Sequence, residues 1–151
     1  CKEVQKSEAA NEAASEVVKA VVSEVLYEDL EGNEVIIESF KGKKLVLNYW
    51  ATWCKPCIEE MPAMARAQEL LKDDNFVFLF ASDQSLEKII AFRDKRQFGL
   101  DFIKFNGAYA DLGITALPVT LIFNENGAQV ERIEGGVIWD APEMIDKLKG
   151  L

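Results

Sequence analysis

The sequence predicts an α/β fold with a central mixed β-sheet flanked by helices, and two observations lead to this prediction. Between residues 44 and 123, strand-length apolar runs alternate with segments that have the apolar period of a helix, as in parallel strand–helix–strand units. The chain then continues with an Asn-Gly pair, which is typical of a β-hairpin, and a last helix. A sheet with both parallel and antiparallel neighbours is therefore expected.

The first half of the chain is predicted to contain a hairpin, two strands and a helix. Turn residues at 29–33 separate two strand-like stretches, 25–27 and 35–37, which we interpret as an N-terminal β-hairpin. Residues 44–51 and 76–81 are apolar on both faces, as in strands covered on both sides. The helix between them has an apolar stripe at Cys57, Met61, Met64 and Leu71.

The second half is predicted to alternate helices with short strands. A helix is expected from Ser85 to Phe98, with Gly99 ending it. Asp140 is expected to cap the last helix, because Pro142 follows in the first turn. Strands are expected at 101–105, 119–123 and 130–133, and a helical turn at 109–112.

The chain shows no internal repeat, and its length suits one domain. We expect residues 1–23 to form an N-terminal tether and residues 24–151 to form the domain, because the first stretch is rich in alanine and glutamate without a broad apolar face. Cys1 has two interpretations: the acylated first residue of a mature bacterial lipoprotein, or the first residue of a fragment. The polar spacer after it favours lipidation of Cys1.

Composition limits the functions that the chain can have. There are 17 basic and 26 acidic side chains, and the net charge of −9 at pH 7 argues against nucleic acid or an anionic membrane surface as partner. The sequence has no histidine, which removes histidine-based metal sites and Ser-His-Asp or Cys-His catalysis. No apolar run approaches the roughly 18 residues that span a membrane. No metal and no cofactor are expected.

The chemistry is expected at Cys54 and Cys57, which have C-x-x-C spacing between a strand and a helix. Unpaired N–H groups and the helix dipole favour a thiolate on Cys54, and Lys55 adds a nearby cation. We predict that Cys54 is an exposed nucleophile with a pKa near or below about 7. Cys57, one helical turn later, would resolve the mixed disulfide. Pro56 stiffens the helix start.

A zinc site, a structural disulfide and a peroxidase are the alternatives for the cysteine pair. A zinc site would need further ligands, and no second C-x-x-C pair or histidine is present. A structural disulfide would close a very short loop, so it would stabilise the fold less than one closing a long loop. A peroxiredoxin-like peroxidase would lack its usual P-x-x-x-T-x-x-C environment, because Thr52 and Cys54 are only two residues apart.

Glu60 and Pro118 are two further candidates for the site. Glu60 lies three residues after Cys57 on the apolar stripe, where a partly buried carboxylate would have a raised pKa and could relay protons to Cys57. The alternative is a solvated Glu60 at the edge of the stripe, and Glu59 is expected to face solvent. Only about 5–6% of X–Pro bonds in folded proteins are cis, so the sequence alone favours a trans bond before Pro118.

Residues 47–57, 60–62 and 117–120 together resemble the thioredoxin superfamily, and within it the TlpA/ResA-like extracytoplasmic thiol–disulfide oxidoreductases. The resemblance extends over residues 25–149, most of the chain. It implies a thioredoxin-like fold with a central insertion within residues 82–105. It also implies that Cys54 is the nucleophilic cysteine and Cys57 the resolving one.

The resemblance assigns roles to residues around the cysteine pair. Pro118 would be a cis-proline facing the pair, against the base rate, and Leu117 would offer its backbone to a substrate strand. Trp53 and Pro56 would belong to the same substrate-binding surface. Thioredoxins carry a buried aspartate six residues before the first cysteine, where this chain has Asn48. ResA-like members instead have an active-site glutamate at the position of Glu60.

We therefore expect a monomeric, lipid-anchored oxidoreductase of the bacterial periplasm or cell envelope. It would take electrons from a membrane thiol-reductant donor and reduce disulfides in exported proteins, including apocytochromes c during cytochrome c biogenesis. The lipid anchor would be its sole contact with the membrane. The alternatives are a thiol oxidase or isomerase of the same fold, since the direction of exchange depends on potential, and a non-catalytic anchored binding domain with a structural disulfide.

Overall fold

The computed structural model describes residues 25–151. The tether predicted for residues 1–23, and Cys1 with it, lies outside the described residues. Within the described range, six strands form one sheet in the order β1-β4-β3-β2-β5-β6. The strands are β1 (Tyr27–Glu28), β2 (Lys44–Tyr49), β3 (Phe76–Ser82), β4 (Phe102–Phe105), β5 (Val119–Phe123) and β6 (Gln129–Glu134). The helices are α1 (Lys55–Leu70), α2 (Leu86–Arg96) and α3 (Pro142–Lys149).

The sheet is mixed, which confirms the fold class that the sequence predicts. β2, β3 and β4 are parallel neighbours joined through α1 and α2. β5 is antiparallel to β2, and β6 is antiparallel to β5. The predicted insertion within residues 82–105 forms α2 and β4, which extend the sheet beyond β3. β2 therefore lies in the middle of the sheet, with parallel strands on one side and antiparallel strands on the other.

Different parts of the chain cover the two faces of the sheet. Because successive strand residues point to opposite faces, Val46 belongs to one hydrophobic cluster and its neighbour Leu47 to the other. Among the described residues, all three helices contribute buried apolar side chains to the first cluster. The second cluster is closed partly by side chains of two short 3-10 helices, Ile37–Phe40 and Tyr109–Leu112.

The N-terminal hairpin differs most from the predicted fold. The predicted turn is present, and the Asp29 carboxylate accepts the backbone N–H of Asn33 at 2.8 Å. The returning strand, however, is limited to one bridge between Glu28 and Glu34, and β1 pairs with β4 instead. Residues 35–37, predicted as a strand, lead into a 3-10 helix. Val35 and Ile37 pack on the second cluster while Ile36 is exposed, so burial against the sheet face replaces edge pairing.

Two helix boundaries also differ from the predicted ones. α2 begins after Ser85, whose hydroxyl caps it, but ends at Arg96, before the predicted end. Gln97 follows in the left-handed conformation with φ 50°. α3 begins after Ala141, which makes no side-chain cap. The prediction that Asp140 caps this helix is wrong, because its carboxylate accepts a hydrogen bond from Arg66 Nε of α1 at 2.7 Å. A contact between helices takes the place of the local cap.

Candidate active site

The C-x-x-C segment leaves the carboxyl end of β2 and enters α1. Cys54 is the N-cap residue of α1, with extended backbone angles of φ −90° and ψ 99°. Its backbone N–H donates to the Ala51 carbonyl at 3.1 Å, and its Sγ accepts the N–H of Cys57 at 3.3 Å. Pro56 lies in the first turn, where a missing N–H costs no hydrogen bond. Cys54 Sγ is therefore placed at the positive end of the helix dipole.

Cys54 and Cys57 form a disulfide bond, with their Cα atoms 5.3 Å apart. The two residues are only 4% and 1% exposed. The prediction of an exposed Cys54 is therefore wrong for the disulfide form, because both side chains pack in the first hydrophobic cluster. Trp53, directly before the pair, is 71% exposed. The solvent-facing group beside the disulfide is thus the indole and not the sulfur.

The loop that follows β2 is held by Gln84, a residue that the sequence did not single out. The Thr52 N–H donates to Gln84 Oε1 at 2.7 Å, and Gln84 Nε2 donates to Thr52 Oγ1 at 2.9 Å. Lys104 Nζ donates to the Gln84 carbonyl at 2.9 Å. The Tyr109 hydroxyl donates to the Trp50 carbonyl at 2.8 Å. Side chains that follow β3 and β4 therefore fix the backbone just before the cysteine pair.

Glu60 is 7% exposed, which excludes the alternative of a solvated side chain. Its Oε1 accepts a hydrogen bond from Asn48 Nδ2 and its Oε2 accepts one from Trp139 Nε1, both at 3.1 Å. Asn48 Nδ2 also donates to Thr120 Oγ1 at 2.9 Å. Burial raises the pKa of the Glu60 carboxyl above its usual value, and the N–H donors counteract this rise only in part. Glu59 is exposed, as expected.

Trp139 and Thr120 are members of this network that sequence reasoning missed. Trp139 is completely buried in the segment between β6 and α3, and its contact with Glu60 joins positions 79 residues apart. Asn48 was singled out from the sequence only because it stands where thioredoxins have a buried aspartate. Polar residues inside apolar strands must find buried partners, and this was the signal that could have found Asn48 and Thr120. No local pattern marks Trp139.

The Leu117–Pro118 peptide bond is cis, as the resemblance implies and against the base-rate expectation of a trans bond. Val119, the next residue, pairs with Tyr49 at the end of β2. Pro118 therefore lies beside the point from which the cysteine segment extends. Its carbonyl accepts the N–H of Gly135 at 2.8 Å. The fold thus brings the cis bond, α1 and the segment containing Trp139 to one end of the sheet.

The arrangement contains the groups that disulfide exchange requires. A sulfur pair can open and close, a helix N-terminus can stabilise a thiolate, and a buried carboxyl can exchange a proton. Lys55 Nζ lies 3.8 Å from Glu59 Oε1, and both side chains are exposed. Within residues 25–151, no cluster of three or more Cys, Asp or Glu side chains is placed to hold a metal ion.

Comparison with known proteins identifies similar sequences. Residues 17–133 match the model of the AhpC/TSA family. Thioredoxin-like protein YneN of Bacillus subtilis is 40% identical over 104 residues, which are 65% of this chain and 60% of that protein. Thiol-disulfide oxidoreductase ResA of Bacillus thuringiensis is 35% identical over 114 residues, 71% of this chain and 64% of that protein. The chain therefore spans less than two thirds of the length of these curated relatives.

Solved structures show that the fold is thioredoxin-like. The exposed lipoprotein thioredoxin of Streptococcus pneumoniae superposes with a TM-score of 0.70 at 21% identity, over 83% of this chain and 98% of that one. A secreted disulfide oxidoreductase of Mycobacterium tuberculosis gives a TM-score of 0.68 at 17% identity, covering 83% and 95%. A thioredoxin-family thiol:disulfide interchange protein of Chlorobium tepidum gives 0.64 at 23% identity, covering 81% and 90%.

Proposed function

This chain belongs to the AhpC/TSA family, and we propose that it is a thioredoxin-like thiol–disulfide oxidoreductase. The observation that carries the proposal is the disulfide between Cys54 and Cys57 at the N-terminus of α1. The buried carboxyl of Glu60 and the cis bond before Pro118 lie at the same end of the sheet. The similarity to relatives named thiol-disulfide oxidoreductase supports the same activity.

The proposed reaction starts from the dithiol form. The Cys54 thiolate attacks one sulfur of a substrate disulfide, and the other substrate sulfur leaves as a thiolate that takes up a proton. Cys57 then loses its proton and attacks Cys54 Sγ. This closes the Cys54–Cys57 disulfide and releases the second substrate sulfur, so that two electrons pass from the enzyme to the substrate. The helix N-terminus at Cys54 stabilises the attacking thiolate.

Glu60 is the proposed acceptor of the Cys57 proton. The ionised carboxylate takes the proton as Cys57 becomes a nucleophile, and it returns the proton when the pair is reduced again. Burial raises the pKa of Glu60 and so brings it nearer to that of a thiol. Asn48 and Trp139 hold the two carboxylate oxygens in place through their hydrogen bonds.

The proposed substrate-binding surface surrounds the disulfide. The exposed indole of Trp53 and the adjacent Pro56 border it on the α1 side. Leu117 and Pro118 border it on the β5 side, where the backbone of Leu117 can form hydrogen bonds with an extended substrate segment.

We place the protein outside the cytoplasm, as a monomer anchored to the membrane through a lipid on Cys1. Two structural relatives, described as an exposed lipoprotein and as a secreted protein, support this location. The proposed electron donor is a membrane thiol reductant, and the proposed substrates are disulfide-bonded exported proteins, including apocytochromes c. Across residues 25–151, no helix has both the length and the apolarity to cross a membrane.

A redox titration tests the proposed activity. The full chain is equilibrated with glutathione buffers of graded potential, and the state of the Cys54–Cys57 pair is read from thiol labelling. The pair is expected to titrate reversibly, and the dithiol form is expected to reduce a disulfide-bonded peptide, whereas a Cys54→Ser variant should not. A pair that stays oxidised in every buffer would identify a structural disulfide. A pair that titrates but only oxidises dithiol peptides would identify an oxidase.

A further inference from the structure

A cleft opens beside the redox pair, between the start of α1 and helix α2. It consists of two adjoining cavities of about 390 and 310 Å³ that share Thr52, Ile58 and Arg96. Ile58 and the exposed Ala91 contribute apolar surface, and the exposed indole of Trp53 belongs to the second cavity. The cleft therefore has an apolar part and adjoins the residues that flank Cys54.

The rim of this cleft is basic, although the chain carries a net charge of −9. Lys88, Lys95 and Arg96 line the first cavity, which has no acidic residue among its described lining. Lys55 lines the second cavity together with Glu59, whose carboxylate already faces Lys55 Nζ at 3.8 Å. In the described part of the chain, no carboxylate lies within 4.0 Å of Lys88, Lys95 or Arg96.

Helix stability does not account for all of these cations. Lys95 and Arg96 lie in the last turn of α2, where a positive charge interacts favourably with the helix dipole. Arg96 also lies over the ring of Phe92, 5.8 Å from its centroid. Lys88, however, lies in the first turn, where the dipole disfavours a cation. Helix electrostatics therefore favours two of the three cations and disfavours the third.

The position of the cleft relative to Cys54 follows from the strand order. α2 leads into β4, which lies on the far side of β3 from β2, whereas Pro118 leads into β5 on the other side of β2. The cysteine segment extends from the end of β2, between α2 on one side and Pro118 on the other. A substrate chain that crosses Cys54 can therefore contact the cis bond on one side and the cleft on the other.

We propose that this cleft binds an acidic segment of the substrate protein next to the disulfide that Cys54 attacks. The inference rests on the proposed function, since it assigns a substrate class to the same site. Carboxylates of the segment face Lys88, Lys95 and Arg96, while a neighbouring apolar side chain contacts Ile58 and Ala91. Exposed charge pairs of this kind mainly speed association and are weakened by salt, whose screening length is about 8 Å at physiological ionic strength.

The test uses two disulfide-bonded peptides of equal length that differ in one flank, which is rich in Glu in the first and in Gln in the second. At low salt the dithiol protein is expected to reduce the acidic peptide about tenfold faster, because opposite charges steer association. The variant Lys88→Gln/Lys95→Gln/Arg96→Gln should bring this ratio close to unity. The matched control Lys41→Gln/Lys43→Gln/Lys72→Gln loses the same charge away from the cleft and should keep the ratio.

Binding without chemistry separates this inference from the proposed activity. The acidic peptide with Ser in place of its cysteines is labelled, and its affinity is measured by fluorescence anisotropy. We expect the cleft variant to bind about tenfold more weakly than the wild type and the control variant. Equal affinities, or equal rates for the two peptides, would overturn the acidic-segment proposal. Binding as expected without reduction of either peptide would support the cleft and overturn the oxidoreductase.

Discussion

Glu60 experiences two opposing influences on its proton affinity. Burial disfavours the charged carboxylate and raises the pKa of the group, whereas the indole N–H of Trp139 and the amide of Asn48 favour the charged form. Burial is the stronger influence, so the pKa stays above its usual value. Such a carboxyl exchanges protons at a pH closer to that of thiol ionisation than an exposed carboxyl does.

Replacing Glu60 with Gln is expected to lower the pKa of the Cys57 thiol in the reduced protein. The substitution removes a negative charge three residues away on the same helix, and a nearby negative charge disfavours a thiolate. The measurement is the pH dependence of alkylation at each cysteine, resolved by mass spectrometry. Glu59→Gln is the matched control, because it removes the same charge from an exposed neighbour. If Glu60→Gln and wild type gave the same curve, Glu60 would have no role at the thiols.

The raised pKa of Glu60 also predicts how stability depends on pH. Folding favours the protonated carboxyl, so this contribution is complete below the unfolded pKa near 4.5 and is lost as the pH rises through the folded pKa. Relative to Glu60→Gln, the free energy of unfolding of the oxidised wild type should fall between the unfolded and the folded pKa and stay level above the folded pKa. Trp139→Phe removes an N–H donor to the carboxylate and so raises the folded pKa further. The fall should therefore begin at the same pH and extend to higher pH. Urea unfolding at a series of pH values measures both effects.

The shape of the Trp139→Phe curve separates two roles of this side chain. A change in packing lowers the free energy of unfolding equally at every pH, whereas a change in the proton affinity of Glu60 moves the pH at which the fall ends. A uniformly lower curve whose fall ends at the same pH as in the wild type would mean that Trp139 only fills space.

At the scale of elements, α3 is held to the sheet by a small buried face. Ile145 and Leu148 are its buried residues and belong to the same cluster as the cysteine pair. This cluster also includes Trp139, just before α3. Packing of the last helix therefore supports the segment that donates a hydrogen bond to Glu60.

Leu148→Ala is expected to destabilise the fold by about 2–5 kcal/mol, since a completely buried leucine is truncated and leaves a cavity. Leu70→Ala is the matched control: the same substitution at a helix position that is 56% exposed should change stability by less than about 0.5 kcal/mol. The measurement is urea unfolding of the oxidised proteins. Equal losses in the two variants would contradict the packing described for α3.

The predictable helices and strands were those whose apolar pattern is visible in their own residues. β2, β3 and β5 are short apolar runs, and α1 shows a clear stripe, so their existence and type followed from periodicity. The strand expected at residues 35–37 and the cap expected at Asp140 failed for a shared reason. In both cases a tertiary contact, burial on the sheet or the ion pair with Arg66, replaces the local interaction.

At the scale of the whole molecule, the sheet order brings distant residues to one end of β2. The cysteine pair was predictable because its spacing and its place between strand and helix are local features. The hydrogen-bond network of Glu60 was not predictable, because its partners are distant in the sequence. Asn48 is 72 residues from Thr120, and Glu60 is 79 residues from Trp139. The cis bond followed only from resemblance, as base rates favour trans.

The most direct test of the central claim is to trap the mixed disulfide on Cys54. The reduced Cys57→Ser variant is mixed with a disulfide-bonded peptide, and intact mass and peptide mapping locate the adduct. The variant Cys54→Ser/Cys57→Ser, which keeps Cys1 as its sole cysteine, gives the background. We predict a stable adduct on Cys54 that the double variant lacks. Two results would contradict the assignment of Cys54 as the nucleophile. One is an equal amount of adduct in the single and the double variant. The other is a Cys54→Ser protein that traps the peptide on Cys57 to the same extent.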